Sequence, residues 1–152
     1  MRFALAVVAA SLVFSAQDSE AQTRLRYAHV GVANAPQTLY ADEVAKLVKE
    51  RTKGRIEIQV FANSQLGGVN EMVDGVRSGA IAIAHHDFGS LARIVPTTAV
   101  FNTPFMYRDP GHMQSILSVF VNESVYRKIP AADRKVMEDT MVEVGRKTLD
   151  WD

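Results

Sequence analysis

The stretch RIEIQVF, residues 55–61, decides the fold class of this chain. Apolar and polar side chains alternate along it, which is the period of a β-strand with one buried face. The run AIAIA, residues 80–84, contains no polar residue, as in a strand buried on both faces of a parallel sheet. The run LRYAHV, residues 25–30, also has β propensity. These runs predict three strands.

Amphipathic segments separate the predicted strands. Pro36 suits the first turn of a helix, where its missing N–H has no intrahelical partner. From Ala41, apolar residues recur at i, i+3, i+4 and i+7, and Gly54 ends this helix. A second helix has Met72 and Val76 on its inner face. The order β-α-β-α-β predicts an α/β fold, with a parallel sheet flanked by helices.

The second half of the chain has weaker signals. Residues 88–107 are mostly apolar and are interrupted by two prolines, which predicts loops and short segments. Residues 111–121 are predicted to be helical. Pro130 opens a last helix. Its apolar face consists of Val136, Met137, Thr140, Met141 and Val144.

The composition bounds the function classes. Of 152 residues, 47% are hydrophobic and 22% charged, which is typical of a globular protein. The chain has 17 basic and 17 acidic residues, so its charge indicates neither nucleic acid nor an anionic membrane as a partner. It contains no cysteine, which excludes disulfides, thiolate metal sites and cysteine nucleophiles.

The amino terminus predicts export. Arg2 precedes an apolar run of 14 residues, and Ser19 and Ala21 are the small residues that a signal peptidase reads. The run is shorter than the roughly 20 residues that a membrane-spanning helix needs. Residues 1–21 are therefore predicted to be a cleaved signal peptide, and the mature protein to be periplasmic.

The loops that follow the three strands form the default site. Open α/β sheets bind ligands outside the carboxyl ends of their strands, where loop N–H groups and helix N-termini converge. In this chain those loops are residues 29–34, 63–70 and 85–90. Their polar side chains, suited to a small polar solute, are Asn34, Asn70, His86, Asp87 and Ser90.

The histidines permit a second interpretation of the same loops. His85 and His86 are adjacent on a strand, so they point to opposite faces and cannot both bind one ion. One histidine is expected to pack against the helix layer and the other to line the cleft. A zinc site formed by His29, one of this pair and Asp87 is the alternative.

No motif indicates catalysis. Ser90 does not lie in a G-x-S-x-G elbow, and the chain has no H-E-x-x-H or Walker A run. A triad of Ser90, His86 and Asp87 would need three neighbours at one strand end to turn toward each other. The protein is therefore predicted to be non-enzymatic, with no cofactor.

Four stretches together carry a family resemblance. LRYAHV (25–30), GRIEIQVFANSQLG (54–67), DGVRSGAIAIA (74–84) and VFNTPFMYRD (100–109) resemble the amino-terminal part of a TRAP-transporter solute-binding protein of the DctP type. Residues 122–149 resemble a segment from much later in such proteins. The resemblance implies a periplasmic-binding-protein-like first lobe plus a C-terminal helix, internally deleted and truncated, with the second lobe largely missing.

The resemblance also implies a division of the chain. Residues 22–114 correspond to the first lobe, 115–121 to the junction of the deletion, and 122–152 to a helix returning to that lobe. The carboxylate-pairing arginine of the family comes from the intervening stretch and has no counterpart here. The positions carried over to the first-lobe half of the site are Val30, Gly31, Val69, Asn70, His86, Asp87, Ser90, Pro104 and Phe105.

The implied function is substrate capture. Such a protein binds a small organic acid outside the cytoplasm and delivers it to the small and large membrane subunits of a TRAP transporter. Because one lobe cannot close around a solute, weak binding or none is expected. The alternative is an exported interaction module or homodimer, built on the apolar surface and sheet edge that a second lobe would cover.

Overall fold

The computed structural model describes residues 22–103, residue 108 and residues 118–148. The predicted signal peptide, Pro104 and Phe105 lie outside these residues. The strands are β1 (Thr23–His29), β2 (Ile56–Phe61), β3 (Ile83–His86) and β4 (Ser118–Val121). The helices are α1 (Pro36–Arg51), α2 (Val69–Ser78), α3 (Glu123–Tyr126) and α4 (Ala131–Thr148). Two 3₁₀ helices span Phe88–Arg93 and Pro96–Asn102.

The four strands form one sheet in the order β2-β1-β3-β4. β1 pairs in parallel with β2 and with β3, so the predicted parallel sheet with flanking helices is confirmed. β4 pairs antiparallel to β3. In the described part of the chain, no helix has the length and apolar character needed to cross a membrane.

Two local predictions were wrong. Residues 118–121 form β4 and not a helix, because β3 offers an open edge to which these β-branched and aromatic residues add a ladder. The third strand is Ile83–His86 rather than residues 80–84. Gly79 ends α2 with left-handed backbone (φ 83°), and the chain needs the next residues to turn back toward the sheet. As a result, His85 and His86 belong to the strand and not to its loop.

The core has a large and a small part on opposite faces of the sheet. The large part lies between β1, β2 and β3 and the helices α1 and α4. Its largest fully buried side chains are Leu25, Tyr27, Ile56, Ile83, Met137, Val44, Val48 and Val144. On the other face, Ala28 packs with Met72 of α2 and with Ile81. The predicted inner faces of the helices are confirmed.

An ion pair fastens α4 to the start of β2. Asp133 lies in the first turn of α4, and its side chain is 3% exposed. Arg55 donates to both carboxylate oxygens, from Nε at 3.1 Å and from Nη2 at 2.7 Å. Such a fork is the strongest geometry for this pair. It ties residues 118–148 to the same body as the first three strands.

Replacing Asp133 by Ala should lower the free energy of unfolding by about 2 kcal/mol. The loss falls below that for a fully buried pair, because the Arg55 side chain is 33% exposed and water rehydrates part of its charge. Urea denaturation measures the change. Asp139→Ala is the matched control, since Asp139 lies on the same helix in an exposed pair with Lys135. Equal losses in both variants would contradict the role given to the buried pair.

Candidate functional site

Two backbone hydrogen bonds join the loops after β1 and β2. The N–H of Asn63 donates to the carbonyl of Gly31 at 2.9 Å, and the N–H of Ser64 donates to the carbonyl of His29 at 3.2 Å. Asn63 and Ser64 have positive φ angles of 51° and 57°, which turn the chain sharply enough to aim both N–H groups at β1. The two loops are therefore joined at the carboxyl end of the parallel strands, which we call the loop edge.

The β1–α1 loop is held by its own helix. The Thr38 hydroxyl, in the first turn of α1, donates to the carbonyl of Val32 at 2.6 Å. Gly31 is buried, and a Cβ added there would lie 2.6 Å from Gln37 Oε1 and 3.1 Å from His29 Nδ1. A side chain at this position would displace Gln37 or His29. These contacts thus give the loop a defined shape.

Asp87 and Ser90 bond to each other at the end of β3. Asp87 caps the first 3₁₀ helix, accepting the Ser90 N–H at 2.9 Å through Oδ1. The Ser90 hydroxyl donates back to the Asp87 carbonyl at 2.6 Å. His86 Nδ1 lies against the other oxygen of the Asp87 carboxylate. These polar groups shape the loop as well as facing its surface.

The remaining predicted positions lie on the same edge. Val69 and Asn70 open α2, and their N–H groups have no intrahelical acceptor because they lie in its first turn. The N-cap, Gly68, supplies no side-chain hydrogen bond to them. Asn70 is exposed and Val30 is partly buried. Asn34 is exposed and has a positive φ of 63°. The structure thus brings the predicted residues of the first three loops to one end of the sheet.

His29 and His85 form a buried pair beneath this edge. They are partners in the parallel register of β1 and β3, and are 0% and 7% exposed. The Tyr27 hydroxyl lies 3.1 Å from His85 Nδ1, and the Tyr40 ring contacts His85 edge-on at 5.4 Å. His85 is therefore the histidine that packs against the helix layer, as predicted, while His86 is partly exposed.

Burial sets the charge state of this pair. Burial, reinforced by the neighbouring histidines His29 and His86, lowers the pKa of His85 to about 4. Burial also lowers the pKa of His29, against the opposing influence of the Asp42 carboxylate. Both imidazoles are neutral at pH 7. Burial holds the pKa of Tyr27 well above 10, so its hydroxyl keeps its proton beside His85.

Within the described residues, no three histidine or carboxylate side chains are grouped closely enough to hold a metal ion. The zinc alternative finds no support there. A groove of about 310 Å³ lies between α1 and α4, with Leu39, Asp42 and Val144 in its lining.

Sequence reasoning did not identify the residues whose hydrogen bonds hold these loops in place. Thr38, Asn63 and Asn102 were not among the predicted site residues, although Asn102 Nδ2 donates to the Gly89 carbonyl at 3.4 Å and links the two 3₁₀ helices. Asn63 had a signal in the turn-rich run that contains it. The other two act across contacts that only the folded chain creates.

Comparison with known proteins matches the region of the chain that contains these loops. The family model described as bacterial extracellular solute-binding protein, family 7 (DctP) matches residues 27–120. The 2,3-diketo-L-gulonate-binding periplasmic protein YiaO of Escherichia coli (strain K12) is 28% identical over 130 residues, which are 86% of this chain and 39% of that protein. This chain spans 24% to 39% of the lengths of the curated relatives that it matches.

Two solved structures illustrate the likeness. A TRAP periplasmic solute binding protein from Pseudomonas putida F1, with bound D-glucuronate, is 28% identical with a TM-score of 0.55, over 62% of this chain and 31% of that one. Another, from Desulfovibrio salexigens DSM2638 in complex with diglycerolphosphate, has a TM-score of 0.75 over 85% of this chain and 79% of that one. At 14% identity, the latter shows the fold alone.

The buried histidines make stability depend on pH. The pKa of His85 is about 4 in the folded chain and 6.5 when unfolded, so the unfolded chain binds the proton more tightly. Stability from this group is complete above pH 6.5 and falls by about 3 kcal/mol as the pH drops to 4. Denaturation at several pH values should show this loss, and His85→Asn should reduce its slope. An unchanged slope would contradict the assignment to His85.

Proposed function

This chain belongs to the DctP family of bacterial extracellular solute-binding proteins, and we propose that it carries the first-lobe half of a solute-binding site of a TRAP-type transporter. The solute is a small organic acid, and the protein acts in the periplasm after removal of residues 1–21. It delivers the solute to the membrane subunits of the transporter. The family match over residues 27–120 includes β1, β2, β3 and the loops at their carboxyl ends.

The observation that carries this proposal is the joined edge of three loops. The Asn63–Gly31 and Ser64–His29 hydrogen bonds hold the first two loops together, and β3 places the third beside them through its pairing with β1. This is the end of a parallel sheet at which ligands bind in open α/β folds. The proposed contact positions are Val30, Gly31, Asn34, Val69, Asn70, His86, Asp87 and Ser90, together with Pro104 and Phe105.

The proposed domain division has support from α4 and β4. β4 extends the sheet beside β3, and the Arg55–Asp133 pair fastens α4 to β2. Tyr40 of α1 donates to the Met141 carbonyl of α4 at 3.2 Å. Residues 122–152 are thus assigned to the helix that returns to the first lobe, and residues 115–121 to the junction before it.

The charges on the loop edge argue for weak capture by this lobe alone. Asp87 brings a carboxylate to the edge, and Arg93 of the first 3₁₀ helix faces Asp74 at 3.5 Å. A solute carboxylate would meet neutral N–H and amide groups in the described loops. Such hydrogen bonds are weaker than a bidentate contact with arginine. The proposed role of the edge is to orient the uncharged part of the acid.

A second candidate is self-association through the two 3₁₀ helices. Several large apolar side chains are exposed on this segment and the turn within it. They are Phe88, Ile94, Val95 and Val100. An apolar surface of this kind is typical of an interface. Sedimentation at increasing protein concentration tests it, and a monomer at every concentration would exclude the homodimer.

Titration with D-glucuronate tests solute binding. We expect a dissociation constant of about 1 mM or weaker, with amide NMR shifts confined to residues 29–34, 63–70 and 86–90. Asn70→Ala should weaken binding by about fivefold, because it removes one exposed amide from the edge. Lys128→Ala, at the opposite end of the sheet, is the control and should bind as the unchanged chain does. Shifts elsewhere, or equal shifts with D-glucose, would count against the proposal.

A further inference from the structure

His29 bonds directly to the loop that follows β1. Its Nδ1 accepts the Gly31 N–H at 3.1 Å, so this nitrogen must carry a lone pair and the ring proton must sit on Nε2. The imidazole is fully buried. No acceptor among the described residues lies within hydrogen-bond distance of Nε2. Only the neutral ring with its proton on Nε2 fits this arrangement.

Burial opposes a positive charge on His29, and one neighbouring carboxylate partly offsets it. His85 lies beside it in register on β3, and the Tyr27 ring contacts it edge-on at 6.1 Å on β1 itself. From α1, Tyr40 packs on His85, and Asp42 supplies the carboxylate that favours the charged form of His29. His86 follows on β3 and lies against Asp87.

We propose that His29 is a positioning residue for the β1–α1 loop and that protonation of its Nδ1 releases this loop. A proton from solvent would occupy the lone pair that now accepts the Gly31 N–H. Two N–H donors would then face each other at the present distance of 3.1 Å, which forces them apart. The inference rests on the proposed function in one respect, namely that this loop forms part of the binding edge.

Release of Gly31 would also disturb the loop between β2 and α2. The Gly31 carbonyl accepts the Asn63 N–H, and the His29 carbonyl accepts the Ser64 N–H. Movement of residues 29–31 therefore disturbs both bonds that join the β1–α1 and β2–α2 loops. Because burial lowers the pKa of His29, the loops stay joined at neutral pH and separate only in acid.

An NMR pH titration tests the inference without any ligand. As the pH falls from 7 through the titration of His29, the Gly31 amide should shift together with the His29 ring nitrogens. Its protection against exchange should then fall by about tenfold, the value of one hydrogen bond. The Ile58 amide in the core reports global unfolding and should lose protection only at lower pH. A Gly31 amide that ignores the titration of His29 would overturn the proposal.

Three variants separate His29 from its neighbours. In His29→Asn, Oδ1 takes the place of Nδ1 and does not titrate, so Gly31 should remain protected at pH 4.5. In His29→Leu, the acceptor is lost, and Gly31 should exchange rapidly already at pH 7 while Ile58 stays protected. His85→Asn should retain the wild-type response of Gly31. The same acid response in His29→Asn would show that another group controls the loop.

D-glucuronate then distinguishes this inference from the proposed function. Weaker binding at a pH below the observed titration of His29 than at pH 7 in the wild type, but not in His29→Asn, supports both. Absence of binding at either pH contradicts the proposed function, and the Gly31 amide alone then decides the inference. Binding that is equally strong at both pH values, with Gly31 released, would overturn the role of this loop in the site.

Discussion

The structure depends on the two-sided pairing of β1. Its backbone bonds to β2 over six residue pairs and to β3 over three, so it must lie in the interior of the sheet. Both of its faces are covered: Leu25 and Tyr27 face α1 and α4, and Ala28 faces α2. The direction of β1 also determines which end of the sheet carries the loops. The site edge is therefore a consequence of the same pairing that organises the core.

A strand could be predicted from the sequence where its alternation of apolar and polar residues reflects which of its faces is buried. β2 is at an edge of the sheet, with one face on the core, and its alternation of isoleucine with glutamate and glutamine records that position. β3 is buried on both sides, so its apolar run has no period that marks where it begins. Its start was determined instead by the left-handed turn at Gly79. β4 was missed because its strand conformation comes from pairing with β3, a contact far away in sequence.

The location of the candidate site was more predictable than its internal bonding. The carboxyl ends of parallel strands lie together by topology, so the three loops could be grouped from the sequence alone. The sequence does not show that Asp87 caps a 3₁₀ helix, since residues 88–93 carry no helical period. Nor does it show that Gly31 bonds to a histidine two residues earlier. Both bonds depend on backbone angles that many sequences permit.

The polar groups of this edge are largely committed to holding it in shape. The Thr38 hydroxyl bonds to the backbone of the loop that precedes its helix, and the Asp87 carboxylate and Ser90 hydroxyl each bond to the backbone after β3. A site built in this way loses little conformational entropy when a ligand arrives, but it offers few strong partners for a charge. Under the proposed function, recognition of the carboxylate comes from outside the described loops, and these loops orient the rest of the solute. A neutral His29 is part of the same arrangement, because its acceptor nitrogen is what holds Gly31 in place.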